Sequence, residues 1–477
     1  MAEGLFWGLL ALVWLAPLPL GANRPWGWGL LGLGIGALLV MFAAAAYLDR
    51  ELVRLDWRRY GALAVGWAIV ILWGVLQQSG WTPADWHDPL WGEAEKLLGV
   101  AMPGAMTLDP DIGRQSLLHL LTYGGIFLLA IHFGRSRRRA RLVLWSLASA
   151  GAAYAAYGLI MQLGGFNGVL WYEKWSYPNM VTSTFVNRNS FATYAGITLI
   201  ATLALFLKET EGAAAARGNI DRGEIVNIID NASLGVYVLV TSAIAIVTAL
   251  LLSQSRAGFG ATVVGVIAFA AAMRFARRRR GAATKRPIFG MVLGAAFVIL
   301  VVVSGGGLMG RLANLASPEV SRDIFYAMTL EEIGEHPLAG TGLGSYHGEM
   351  EMVRDDRLDD FLYTVDRAHN SYLELALELG LPVFVVLLAT LAGIAIACLR
   401  GLVLRERDVV YPAAGIGATA LVALHSTLDF SLQIPAVSAA YALLMGAAFA
   451  QSFPTRQRAA GRALSTLSPV ETSAPGD

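Results

Sequence analysis

Twelve stretches of this chain are apolar for long enough to cross a lipid bilayer, which leaves it few ways to fold. Crossing about 30 Å of hydrocarbon takes about 20 apolar residues wound as a helix. Runs of that kind fall near residues 4–20, 27–47, 60–78, 115–133, 142–163, 190–207, 234–252, 259–273, 287–304, 371–399, 409–426 and 435–451. In lipid each backbone amide must be paired within the protein, so such runs become helices. Only 15% of the 477 residues are charged, against about 25% in globular domains. The expected fold is therefore an all-α polytopic membrane protein of about twelve transmembrane helices. The first run follows Glu3 rather than a basic segment and ends in Pro17-Leu18-Pro19, so it reads as a span and not as a signal peptide. The single cysteine, Cys398, lies in an apolar run, so an intrachain disulfide is excluded and the thiol reads as packing.

Basic residues set the orientation. Of the 36 lysines and arginines, 25 fall in alternate loops and the tail: Arg50 to Arg59, Arg135 to Arg141, Lys208 to Arg222, Arg274 to Arg286, Arg400 to Arg407, and Arg456, Arg458 and Arg462. By the positive-inside rule these loops and both termini are cytoplasmic. The Arg277–Arg280 run at a membrane exit is a topogenic anchor, so no nucleic-acid partner is expected. The expected organisation is nine helices over 1–304, a periplasmic loop with amphipathic helices over 305–370, three helices over 371–453, and a disordered cytoplasmic tail over 454–477. The opposite face receives 79–114, 164–189, 253–258 and 305–370. Trp81, Trp86, Trp91, Trp171, Tyr172, Trp175 and Tyr177 cluster there, as an interfacial belt or as stacking platforms for sugar rings.

That face also holds the residues that look chemical. His369, in His369-Asn370-Ser371-Tyr372-Leu373, sits where a charged loop re-enters an apolar helix. An imidazole at such a lip is a natural proton acceptor. Arg188, in Asn187-Arg188-Asn189-Ser190, and Arg256, in Ser253-Gln254-Ser255-Arg256-Ala257-Gly258, start apolar runs. Guanidinium groups hold phosphate oxygens in bidentate geometry, so two of them can clamp a diphosphate. In the long loop, Ser317-Pro318 signals a helix start, and His336-Pro337 leads to Gly340-Thr341-Gly342-Leu343-Gly344. No strand precedes these glycines, which argues for a tight turn near substrate rather than a nucleotide loop. Asp355, Asp356, Asp359 and Asp360 alternate with Arg354 and Arg357 and read as a solvated face; no metal site is expected.

These motifs in order resemble the bacterial O-antigen ligase and Wzy polymerase superfamily: Asn187-Arg188-Asn189, Ser255-Arg256-Ala257-Gly258, Arg322-Asp323-Ile324-Phe325-Tyr326-Ala327-Met328 leading to His336-Pro337-Leu338-Ala339-Gly340-Thr341-Gly342, then His369 with Leu373 and Gly380. The resemblance covers roughly residues 180–400. It implies a GT-C-like layout with a helical periplasmic loop before the tenth span, in the bacterial inner membrane. It further implies an inverting, metal-independent transfer of a glycan from undecaprenyl diphosphate to a glycan or lipid A-core acceptor, with no cofactor. His369 would be the base, and Arg188, Arg256 and Arg322 would bind diphosphate. Asn187, Asn189, Asn370 and Gly342 would support them. Membrane lipid and a chain-length regulator are the further partners implied. Ligases of the family place serine after the histidine where this chain has Asn370, and Asp429-Phe430-Ser431-Leu432-Gln433-Ile434-Pro435 is similar to segments of the polymerase-like branch, so ligase and polymerase both stand. A polysaccharide or lipid-linked oligosaccharide flippase is the rival from another class. The nearly charge-free spans count against it.

Cysteines introduced at Asp88, Gly306 and Asp356 should react with an impermeant thiol reagent from the outer side, and cysteines at Arg138 and Arg279 should not. Outer labelling at Arg279 would reverse the orientation.

Overall fold

A computed structural model describes residues 2–49, 57–215, 233–280, 322–355 and 366–454. The chain is an all-α polytopic membrane protein. In chain order the helices begin with α1 (Ala2–Leu15), α2 (Pro25–Leu48), α3 (Trp57–Gln77), the short α4 (Pro89–Leu98), α5 (Pro110–Gly134), α6 (Arg137–Leu163) and α7 (Arg188–Ala215). A two-residue hairpin, β1 (Gly168–Val169) with β2 (Tyr172–Glu173), lies between α6 and α7. Then come α8 (Leu234–Leu252), α9 (Arg256–Arg278), α10 (Arg322–Glu335), α11 (Tyr346–Met352), α12 (Ser371–Leu379), α13 (Leu381–Leu404), α14 (Val410–His425) and α15 (Pro435–Ala450).

Eight of these, α2, α3, α5, α6, α7, α8, α9 and α13, are long and apolar enough to span a membrane; α1, α14 and α15 are shorter apolar helices. Eleven of the twelve expected runs thus coincide with apolar helices. The run at 287–304, the Ser317-Pro318 helix start and the tail beyond Pro454 lie outside the described residues, as do 356–365, which hold all of the acidic cluster but Asp355.

One expected element is corrected. The run 371–399 is not one helix but two, α12 and α13, parted at Gly380, whose φ of 72° and ψ of 154° are not helical. Pro382 follows in the first turn of α13, where a missing N–H costs nothing. Added at Gly380, a Cβ would fall 2.4 Å from Leu338 O, and one at Gly340 2.4 Å from Gly380 N. The helix breaks there so that the 338–344 turn can press backbone to backbone against it.

α7 is the central helix: 89% of its apolar window is buried, against 28–50% for the other seven. Its buried hydroxyls are satisfied within the helix, Thr198 donating to Tyr194 O and Thr202 to Thr198 O. Around it the helices close through small residues, the usual means where lipid gives no hydrophobic drive. At the α9–α14 crossing a Cβ on Gly265 would meet Gly417 O at 2.8 Å, and one on Gly417 would meet Gly265 O at 2.8 Å.

The two ends of the bundle differ. At the arginine-rich end Arg141 donates twice to Glu209 at 2.7 Å, Arg139 pairs with Glu3 at 3.0 Å, and buried Asp408 pairs with Arg137 at 2.9 Å and with Lys208. The other end carries exposed Trp81, Trp86, Trp171 and Trp175 and the turns that hold His369, Arg188 and Arg256.

Gly265→Leu should therefore destabilise the bundle by about 1–3 kcal/mol, the cost of overpacking, seen as a lower melting temperature in detergent. Gly260→Leu, on the same helix with nothing within 4 Å of the new Cβ, should melt like wild type. Equal melting of both variants would show that the crossing is loose.

Candidate active site

Asn370 starts α12: its Oδ1 accepts from Tyr372 N at 3.0 Å and Leu373 N at 3.3 Å. Asparagine and serine cap helices about equally well, so the exchange of serine for Asn370 preserves this role. The residue before the cap, His369, has φ of 50°, a left-handed conformation that costs a side-chain-bearing residue of order 1 kcal/mol. That bend carries the chain into α12 and sets the imidazole edge-on to Phe430, ring centroids 5.2 Å apart.

Behind the imidazole stands Asp429. His369 Nδ1 lies 3.5 Å from Asp429 Oδ1, and among the described residues neither Nδ1 nor Asp429 Oδ2 has a hydrogen-bond partner. The carboxylate is 1% exposed, the imidazole 32%. Phe430 N donates to Asp429 Oδ1 at 2.8 Å. Burial pushes this carboxyl up, but the facing His369, the nearby His425 and the Phe430 amide outweigh it and hold it below the ordinary carboxylate range. A charged acceptor thus faces Nδ1 of a ring whose edge is open.

The frame around the pair comes from three elements. Ser371 N donates to Ser426 O at 2.9 Å and Ser371 Oγ to Asp429 O at 3.1 Å, docking α12 on the turn after α14. One turn apart on α10, Arg322 donates to Leu428 O at 3.1 Å and Tyr326 Oη to His369 O at 3.2 Å. The Arg322–Met328 motif is in this sense a strap across the site. Glu374, with a side chain 1% exposed, accepts from Arg367 at 3.0 Å and from Ala368 N at 3.2 Å, clipping the segment before His369 to α12. Buried His425 lies below, its Nδ1 3.1 Å from Thr193 Oγ1 of α7 and its Nε2 without a partner among the described residues.

The arginine group gathers at the start of α7. Asn187 caps this helix, accepting from Asn189 N at 2.7 Å, and Asn189 Oδ1 accepts from Ser255 Oγ at 2.7 Å, which joins α7 to the start of α9. Arg188 lies 5.2 Å over the Tyr177 ring with one nitrogen 3.0 Å from Met180 Sδ, and its Nε is buried without a partner among the described residues. Arg256 is exposed. The two arginines thus stand at the starts of two helices joined by the Asn189–Ser255 bond. The His369 group and the arginine group meet along α7, through Thr193 on one side and Asn187 on the other.

Gly342 has a different place. Its φ is 107°, its N–H donates to Glu378 O at 3.0 Å, and a Cβ would fall 2.3 Å from Thr107 Cβ. Gln77, fully buried, holds the same turn by donating to Ala339 O and Glu378 O and accepting from Leu343 N. The glycines build a buttress behind α12. His336, just after α10, and His347, in α11, are exposed.

Three residues of the site went unassigned in the sequence. Asp429 stood in a quoted segment without a role, while His425 and Arg367 drew no notice. The available signal was a histidine and an aspartate four apart at the end of an otherwise uncharged apolar run, where ionisable groups are costly and usually functional.

With this geometry the comparison with known families becomes informative. Residues 241–388, just under a third of the chain, match the family model described as O-antigen ligase. The resemblance to the O-antigen ligase and Wzy superfamily is borne out over this region. The match runs from α8 through α9, α10 and α12 into α13, so it includes Arg256, Arg322 and His369, while Arg188 and Asp429 lie outside it. A comparison with curated proteins found no match. The match supports a function of ligase or polymerase type in surface-polysaccharide biosynthesis.

Asp429→Asn keeps the shape but removes the charge facing Nδ1, and turnover should fall by about 10²–10⁴-fold. Because the folded carboxyl titrates below the unfolded value of about 3.9, its stabilisation is complete above that value and is lost as pH falls through the folded one. The stability advantage of wild type over the variant, read from melts across pH, should shrink only below about pH 4. Loss of that advantage between pH 6 and 7 would contradict this account of the pair.

Proposed function

We propose that this protein transfers a glycan from undecaprenyl diphosphate to an acceptor hydroxyl, on the periplasmic face of the bacterial inner membrane, as a ligase or a polymerase. The observation that carries the reading is the His369–Asp429 pair, partly open at a helix lip, with His425 beneath it bonded to α7, whose start bears Arg188 and is joined to the start of α9 that bears Arg256. The acceptor oxygen attacks the anomeric carbon of the donor as its hydroxyl proton passes to His369. The bond from that carbon to the diphosphate oxygen breaks on the opposite side, which inverts the centre. The electron pair leaves with undecaprenyl diphosphate.

Each group has a physical task. A positioned base contributes about 10²–10⁴-fold, and Asp429 stabilises the imidazolium as it forms, as a carboxylate does in hydrolase triads. Arg188 and Arg256 offset the charge growing on the leaving diphosphate, where low dielectric strengthens every such contact. Arg322 uses one N–H on Leu428 O, and its remaining donors serve a phosphate oxygen. The donor arrives already activated on its lipid, so the reaction proceeds where nucleotides are absent and calls for no cofactor. Arginine charge takes the place a metal would fill.

His369→Ala should leave the protein folded and able to bind lipid-linked donor while transfer drops by about 10²–10⁴-fold, in nanodiscs with chelator present. Near-normal turnover would move the base elsewhere. Arg256→Ala should abolish transfer, and Arg256→Lys should restore little because a point charge lacks the guanidinium fork. Full activity in the lysine variant would reduce Arg256 to a charge at the headgroups.

A further inference from the structure

A cavity of about 230 Å³ is walled by the turn after α1, the start of α7, the segment before His369 and the turn before α15. We propose that it is a pyranose-binding subsite, seating the sugar ring next to the bond that is made or broken. The inference rests on the glycan-transfer reading and adds to it the place of one ring.

Size and lining together select the ligand. Pockets for drug-sized molecules run to about 300–1,000 Å³, so this one admits a single ring and neither a polyprenyl chain nor a whole repeat unit. Asn23, Asn187, Ser190 and Gln433 supply amides and a hydroxyl, and Phe430 supplies an apolar face. Neighbouring sugar hydroxyls donate and accept at once, which is what side-chain amides also do, while the C–H face of the ring suits an aromatic surface. A phosphate fits poorly. The one cation in the wall, Arg367, is held by Glu374 at 3.0 Å, and Asp366 stands beside it. An acyl chain would strip water from four polar side chains without replacing it.

Two features call for a hydroxylated guest. Gln433 lines the cavity half-buried, and its Oε1 has no donor among the described residues, a deficit that is removed when the amide turns to offer that oxygen to a sugar hydroxyl. Asn187 spends its Oδ1 on the α7 cap, which leaves its N–H groups as donors. The place is right as well: Phe430 lines the cavity and packs on the His369 ring, and Asn187 precedes Arg188. One wall is the turn Leu20-Gly21-Ala22, three successive left-handed residues at φ 56°, 72° and 55°. Strain of this kind persists where the surroundings dictate a shape.

The test uses full-length enzyme in nanodiscs, with lipid-linked donor and acceptor glycan titrated separately. Asn23→Leu and Gln433→Leu keep volume and remove hydrogen bonding. Each should raise the KM for the glycan that occupies the cavity by at least about tenfold and leave kcat within about threefold, the pattern of lost ground-state binding. A rise in donor KM assigns the ring to the donor, and a rise in acceptor KM to the acceptor. Independently, a diazirine-bearing oligosaccharide with the native terminal sugar should label wild type at the peptides holding Asn187 or Phe430, and unmodified sugar should compete. Unchanged KM for both glycans in folded variants, or labelling confined to other peptides, overturns the subsite while glycan transfer by wild type stands. Absence of transfer by wild type, seen before any variant is made, instead overturns the parent reading and this one with it.

Discussion

The candidate site depends on one docking contact, the first turn of α12 seated on the turn that follows α14. Ser371 makes it twice, with its N–H on Ser426 O and its hydroxyl on Asp429 O. Through that contact a histidine from the loop side of the chain meets a carboxylate that belongs to the bundle. Without it His369 would stand on a surface loop with no carboxylate facing Nδ1. Tyr326 spans the same joint, donating to His369 O, with Thr427 O at 3.4 Å. Two backbone carbonyls from distant parts of the chain are thereby held by one phenol. Burial holds that phenol above its ordinary titration range, the Arg322 charge opposing and Asp429 adding, so it remains a donor.

Behind the joint, a buried polar buttress keeps α12 from shifting. Gln77, at the end of α3, is satisfied on both sides of its amide by the 339–343 turn and the end of α12. Trp73 adds a bond to Leu379 O at 3.0 Å. Glu378, beneath, is pushed above the ordinary carboxylate range by burial and by Glu374, with backbone amides of the glycine turn opposing. A fully bonded buried network of this kind makes a position rigid. Rigidity matters here because His369 occupies a strained conformation that only firm surroundings maintain.

The membrane accounts for the placement of the site. Charge inside hydrocarbon is costly, so ion pairs collect at the arginine-rich end, and His369, Arg188 and Arg256 stand at the opposite one. Between them the spans use apolar side chains, hydroxyls bonded within their own helix, and glycines at crossings. Among the long spans described, α7 is the most deeply buried, and its first turns touch both the histidine group and the arginine group.

Much of this was legible along the chain. Apolar runs dictate helices because lipid offers no partner for a free amide, and every such run within the described residues is helical, 371–399 as two helices. The cap at Asn370, the helix start at Arg188 and the turn glycines are local signals, set by backbone chemistry within a few residues. What tertiary structure decided is everything that joins distant segments. Gly380 breaks the 371–399 run because the turn near residue 340 needs its surface, a demand no window of sequence contains. Gly342 packs on Thr107 rather than standing free near a substrate. Asp429 and His425 gain meaning only when α14 delivers them beneath His369, 60 and 56 residues away in the chain. Sequence determines what each segment must be, since secondary structure and membrane insertion are governed by near neighbours. The meeting of an imidazole with a buried carboxylate, and the joining of the two arginine-bearing helix starts, are properties of packing, and packing is settled by surfaces that meet only when the whole bundle has formed.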